Sequence, residues 1–95
     1  MNNMIERLES IARRYEELSE QLLDPNVLSN VNKTREISKE AASLEDTVTC
    51  FCEYKQVLSD IDAAKEMLKD AEMAEFAKEE LEQLETKKSD LEKQL

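Results

Sequence analysis

The chain has 95 residues, of which 38% are charged, with no glycine and a single proline. Because tight β-turns depend on glycine and proline, this composition argues against a strand-rich fold and predicts an all-α protein. The formal net charge of −10 disfavours extensive contact with RNA or DNA, since that binding neutralises phosphates with lysine and arginine.

The first predicted helix covers residues 3–23. Its apolar side chains repeat at alternating steps of four and three, which places them in one stripe facing a partner helix. The stripe consists of Met4, Leu8, Ile11, Tyr15, Leu18 and Leu22.

The stretch LLDPNVLSN ends this helix and predicts a short helical corner between Asp24 and Asn30. Pro25 has no N–H to donate and disfavours the helical conformation at Asp24. Asp24 is a favourable N-cap and Pro25 a favourable first helical residue, so we predict a short turn over residues 25–29. Asn30 is then expected to cap the next helix.

Two further helices are predicted, over residues 31–69 and 71–95, and together with the first they form an antiparallel three-helix bundle or coiled-coil hairpin. The only signal for the break between them is Asp70, a candidate N-cap. The alternative is one unbroken helix over residues 31–95, which would need a dimer to cover its stripe. The last helix has a stripe of Ala77, Leu81, Leu84, Lys88, Leu91 and Leu95.

No catalytic, cofactor-binding or metal-binding residue is predicted. The chain has neither the histidine nor the glycine that the usual nucleophile and phosphate-binding motifs require. Cys50 and Cys52 lie about 200° apart around a helix, so they cannot share a metal ion, and reduced thiols are expected. The four aromatic residues are predicted to anchor the core, or alternatively to supply one or two members of an exposed docking patch: Tyr15, Phe51, Tyr54 and Phe76.

The two ends of the sequence support predictions about cellular location and about the extent of the protein. The start, MNNMIERLES, is charged where a signal peptide is apolar, and no apolar run approaches the roughly 18 residues of a membrane span. We therefore expect a cytoplasmic protein without membrane contact. Leu95 ends both the last stripe and the chain, so we expect residues 1–95 to be one helical domain of a longer multidomain protein.

Several strings resemble the N-terminal domain of bacterial class I peptide chain release factors, in particular the release factor one type. The strings are RYEELSEQLLDPNVLSN (14–30), REISKEAASLED (35–46), EYKQVLSDIDAAKEML (53–68) and EMAEFAKEELEQLE (72–85). The chain departs from the family where Asp-Pro is common, having Asn30–Val31 and Asp70–Ala71 instead. If these positions align, Asn30 and Asp70 inherit the capping role.

The resemblance implies a role in translation termination at UAA and UAG stop codons. The family's hydrolytic Gly-Gly-Gln motif lies in a later domain, so this chain is expected not to be an enzyme. The implied partners are the stalk-base region of the ribosome, the class II release-factor GTPase and the release-factor glutamine methyltransferase. The alternative function is a free-standing structural protein that dimerises as a coiled coil through Leu81, Leu84, Leu91 and Leu95.

Overall fold

A computed structural model describes residues 3–95 and confirms the all-α fold class. Its helices are α1 (Asn3–Gln21), α2 (Pro25–Leu28), α3 (Val31–Met67) and α4 (Ala74–Gln94). Residues 3–95 contain no β-strand. The chain divides into two compact units, of which unit 1 extends to Thr49 and unit 2 covers Cys50–Leu95, so that α3 contributes to both.

The corner between α1 and α3 forms where the proline predicts it. α1 ends at Gln21 and not at residue 23, because the Leu23 N–H donates to the Glu20 carbonyl three residues back, at 3.0 Å. Asp24 has an extended backbone and is the N-cap of α2, and its Oδ1 accepts a hydrogen bond from the Asn26 N–H at 2.9 Å. Pro25 follows as the first residue of α2, where its missing N–H carries no cost.

Side-chain hydrogen bonds also start α3. Asn30 Oδ1 accepts from the Lys33 N–H at 3.1 Å, which confirms its predicted capping role. The Thr34 hydroxyl reaches back to the Val27 carbonyl oxygen at 2.9 Å. The first turn of α3 is therefore held both by its own cap and by the preceding short helix.

Unit 1 pairs α1 with the first part of α3. Leu18 packs with Val27 and Ile37 in a buried cluster, and Arg14 Nε lies 2.7 Å from Glu40 Oε2. A later position on α1 thus meets an earlier position on α3, so the two helices run antiparallel. Partly buried side chains complete the cluster, namely Leu22, Ala41 and Leu44.

Unit 2 pairs the second part of α3 with α4. Cys50 lies beside Gln94, with Sγ and Oε1 3.8 Å apart, whereas Met67 and Phe76 line the same groove. These contacts show an antiparallel pair. α3 buries one stripe at helical spacing, made up of Phe51, Tyr54, Val57, Ile61 and Ala64, and α4 buries Ala77 and Leu91.

The turn between α3 and α4 corrects two predicted boundaries. α3 ends at Met67 and not at residue 69, and α4 begins at Ala74 and not at residue 71. Asp70 does not cap α4: its Oδ1 accepts from the Glu72 N–H at 3.0 Å, within the turn itself. Met73 holds the N-cap position without a side-chain hydrogen bond. The unbroken helix over residues 31–95 is therefore not formed.

Among the helices within residues 3–95, none is both long enough and apolar enough to cross a bilayer.

Candidate interaction surface

Within residues 3–95, six large apolar side chains are exposed, and they cluster in sequence around the corner from α1 to α3 and around the turn from α3 to α4. One set follows α1 and the other follows α3. The exposed residues are Leu23, Leu28 and Val31 in the first set, and Leu68, Met73 and Phe76 in the second. Single exposed apolar residues are common on protein surfaces, so only a shaped site around them is informative.

Phe76 is exposed, although the aromatic residues were predicted to anchor the core. Phe51 and Tyr54 are buried as expected and Tyr15 is half-buried, but Phe76 is 52% exposed. The reason lies in the register of α4. Ala77, the next residue, is fully buried, and one helical residue corresponds to a rotation of about 100°. Phe76 is therefore turned away from the buried stripe and fits the alternative of a docking residue.

Phe76 borders a groove within unit 2, which we call the α3–α4 groove. It has a volume of about 210 Å³ and is lined by Asp60, Ala63, Ala64, Met67, Phe76, Glu80 and Leu84. The alanines leave room because a methyl group fills little of the space between two helices. The floor is apolar, and each helix contributes one carboxylate to the lining.

The chain around this groove is strongly acidic. Residues 60–84 contain nine aspartate or glutamate residues and three lysines, a net charge of −6 out of −10 for the whole chain. One of the lysines, Lys69, forms an ion pair with Glu66, with Nζ and Oε2 3.1 Å apart. The groove therefore combines an apolar floor with a negative electrostatic environment, which would attract a cationic partner.

Two basic side chains, Arg14 and Lys87, are paired with carboxylates on α3. Arg14 donates two hydrogen bonds to Glu40, from Nε at 2.7 Å and from Nη2 at 2.8 Å. The Arg14 hydrogen bond lowers the pKa of the Glu40 carboxyl below its usual value. Lys87 Nζ lies 3.7 Å from Glu53 Oε1. These pairings reduce the positive charge available for phosphate groups.

Tyr54 makes a hydrogen bond between the two helices of unit 2. Its side chain is 3% exposed, and its hydroxyl donates to Glu92 Oε2 at 2.7 Å. Burial, together with this hydrogen bond and the Glu92 charge, raises the pKa of Tyr54 to about 12. The phenol is therefore a neutral donor at physiological pH, and its hydrogen bond links α3 to α4.

The two cysteines are free thiols in different environments. Cys52 is exposed, whereas Cys50 is half-buried with Sγ 4.0 Å from the Leu91 carbonyl oxygen. Burial, and secondarily the charge of Glu53, raises the pKa of the Cys50 thiol. Within residues 3–95, no three histidine, cysteine, aspartate or glutamate side chains are grouped so that they could hold a metal ion.

The α3–α4 groove was not among the features predicted from the sequence. Its only signal is a pair of small residues near the end of α3, Ala63 and Ala64, followed by the exposed aromatic Phe76 near the start of α4. The register of α4 against α3 is needed to bring them together, and that register depends on contacts distant in sequence.

Fold and surface together define an all-α domain with an acidic, apolar-floored groove between two of its helices. Comparison with known proteins identifies the family. The PCRF domain matches residues 11–95, which is nearly the whole chain, and the chain belongs to the PCRF domain family.

Curated relatives support the same assignment. The chain is 54% identical over 65 residues to peptide chain release factor 1 of Shouchella clausii and to that of Halalkalibacterium halodurans. It is 52% identical over 66 residues to peptide chain release factor 1 of Streptococcus gordonii. These alignments cover 68%, 68% and 70% of the chain. The release-factor resemblance predicted from the sequence is thereby confirmed.

The matched region is a small part of these relatives. It spans 18% of the length of each of the three release factors. No solved structure matches the chain.

Proposed function

We propose that this chain is the N-terminal accessory helical domain of a class I peptide chain release factor of the release factor one type. It would act in translation termination at UAA and UAG stop codons. The PCRF match over residues 11–95 is the observation that supports this most strongly, and the three relatives named peptide chain release factor 1 agree with it.

We further propose that residues 1–95 act as one helical domain of a longer multidomain protein. Two observations support this view. α3 runs unbroken from Val31 to Met67 and so contributes to both compact units, and the family match includes both units.

The proposed role of the domain is binding, and the hydrolysis of peptidyl-tRNA is assigned to another part of the protein. A Gly-Gly-Gln motif cannot lie within these 95 residues, because they contain no glycine. The motif that reads the stop codon would also lie elsewhere in the full-length factor.

The proposed partner is the ribosome, reached through a ribosomal protein of the stalk-base region. The net charge of −10 and the carboxylate pairing of Arg14 and Lys87 disfavour rRNA as the main contact, since like charges repel at short range. The class II release-factor GTPase and the release-factor glutamine methyltransferase are further proposed partners, in the cytoplasm.

A ribosome experiment tests this proposal. The 95-residue chain is added to ribosomes stalled at a UAA codon, and both co-sedimentation and release of the nascent peptide are measured. We expect co-sedimentation without release above the buffer control. Release by the chain alone would contradict the assignment of the chemistry to another domain, and absence of ribosome binding would contradict the docking role.

A deletion in the full-length factor provides the complementary measurement. Removal of residues 1–95 should preserve peptide release at saturating factor concentration and raise the concentration needed for half-maximal release. If the deleted factor loses release even at saturation, the domain participates in the chemical step and the accessory role is wrong.

A further inference from the structure

We infer that the α3–α4 groove is a docking site for a basic amphipathic α-helix of another protein. The inference extends the proposed function by naming the surface and the chemistry of the partner. It depends on the proposed function for the expectation that such a helix belongs to the ribosome or to another termination factor.

Shape supports a helix with a protruding apolar residue. The groove is lined by two small residues, the exposed Ala63 and the buried Ala64. The larger Met67, Phe76 and Leu84 line it as well. A volume of about 210 Å³ accommodates one leucine or phenylalanine side chain and part of its neighbour. Helix-in-groove recognition uses such anchors at a spacing of three or four residues.

The negative charge around the groove favours a basic helix over RNA or a second copy of the chain. Asp60 and Glu80 line the groove from opposite helices, within a segment of net charge −6. Lysine or arginine side chains flanking the apolar anchor would meet these carboxylates, which increases both the association rate and the specificity. RNA would be repelled by the same charges, and a second copy of the chain would bring a second segment of net charge −6 against the first.

Exposure of Phe76 fits a docking role better than a purely structural one. Phe76 is 52% exposed and lines the groove, whereas its neighbour Ala77 belongs to the buried stripe of α4. Aromatic residues at the centre of an interface contribute more to binding than most other types. The unbound chain leaves this ring in water, and a bound helix would cover it.

Binding of a designed peptide tests the inference directly. The probe is a fluorescent peptide of about 14 residues, made of leucine and lysine with the leucines on one helical face. The control peptide has the same composition in an order that produces no apolar helical face. We expect the 95-residue chain to bind the first peptide at least about tenfold more tightly than the second, a difference of about 1.4 kcal/mol. Equal binding of both would indicate charge attraction alone and would overturn the inference.

Point variants test whether the amphipathic peptide binds in the α3–α4 groove. Phe76→Ala should weaken binding of the amphipathic peptide about tenfold or more, as expected for an aromatic anchor. Leu23→Ala is the matched control, since Leu23 is 79% exposed but belongs to unit 1, and it should leave binding unchanged. Ala63→Gln fills the groove at an exposed helical position and should weaken binding without loss of helicity by circular dichroism. If neither Phe76→Ala nor Ala63→Gln affects the peptide, the groove is not the site.

A charge series tests the role of the two carboxylates. The pair Asp60→Asn and Glu80→Gln should weaken binding more than the pair Glu6→Gln and Glu16→Gln, which changes the net charge equally in unit 1. The difference between the pairs should shrink when NaCl is raised from about 50 mM to about 500 mM, because salt screens exposed charges. Identical effects of the two pairs would contradict specific recognition by the groove.

Two competing occupants are distinguished in the same set of samples. A Phe76-dependent dimer in sedimentation of the chain alone, or Phe76-dependent binding of a single-stranded RNA, would overturn the assignment to a basic helix. Failure of the unaltered chain to bind ribosomes would count against the proposed function and would leave the peptide result unaffected, so the two failures can be told apart.

Discussion

The hydroxyl of Tyr54 on α3 lies 2.7 Å from Glu92 Oε2 on α4, and the ring that carries it is almost fully buried. This hydrogen bond crosses 38 positions in sequence. It therefore depends on the antiparallel pairing of the two helices and also reports on that pairing.

Alkaline pH should weaken the hydrogen bond between Tyr54 and Glu92. Because the pKa of Tyr54 is raised to about 12 in the folded chain from about 10 in the unfolded chain, the folded state binds the proton more tightly. The associated stability is fully present below pH 10 and is lost as pH rises from there through 12. Urea unfolding at several pH values should show a steeper alkaline loss for the unaltered chain than for Tyr54→Phe, which lacks the titrating group. Parallel pH profiles would show that the hydroxyl does not couple to folding.

Glu40 should titrate at unusually low pH because of Arg14. The pKa of its carboxyl is lowered in the folded chain, so the ion pair contributes to stability above the unfolded-state pKa and the contribution is lost as pH falls through the folded value. Carbon-detected NMR of the Glu40 side chain should place its midpoint below that of Arg14→Met, in which the carboxyl returns towards its usual range. An unchanged midpoint in the variant would show that the bidentate pair is not populated in solution.

Truncation of Leu18 should destabilise the chain far more than truncation of Leu23. Leu18 is fully buried and Leu23 is 79% exposed, although both are leucines near the end of α1. Leu18→Ala should cost about 2–5 kcal/mol because it removes a buried side chain and leaves a cavity. Leu23→Ala should change stability by no more than about 0.5 kcal/mol. Thermal and urea unfolding of the two variants provide the comparison, and similar values would contradict the placement of the unit 1 core.

The cap at the corner should matter more than the proline that follows it. Asp24→Ala removes the acceptor for the Asn26 N–H and should cost about 0.5–2 kcal/mol. Pro25→Ala keeps that hydrogen bond and should cost less, since alanine also suits a first helical turn. Urea midpoints of the two variants, measured beside the unaltered chain, give the order. The reverse order would mean that the fixed backbone of Pro25, rather than the Asp24 cap, maintains the corner.

The two thiols should react at different rates. Cys52 is exposed, whereas Cys50 is half-buried and burial raises the pKa of its thiol. The thiolate is the reactive form, so iodoacetamide at neutral pH should modify Cys52 first, as followed by peptide mass spectrometry. In urea the two rates should converge, which serves as the control. Faster modification of Cys50 in the folded chain would contradict its packing beside Leu91.

Local sequence determined the features of this protein that depend on neighbouring residues. The absence of glycine and the helical spacing of apolar residues determined the all-α class. Asp24, Pro25 and Asn30 determined the corner, because a cap and a proline act on hydrogen bonds within a few residues of themselves. The release-factor resemblance was also present in the strings themselves.

Only the tertiary structure decided the features that depend on the packing of distant segments. The position of Asp70 suggested a helix start at residue 71, but its side chain caps the turn and α4 begins at Ala74. The predicted stripe of the last helix began at Ala77, which is buried, whereas the sequence left open whether Phe76 would anchor the core or lie exposed. Burial at the start of α4 follows from its register against α3. This register depends on contacts such as that of Tyr54 with Glu92, whose partners are 38 positions apart in sequence.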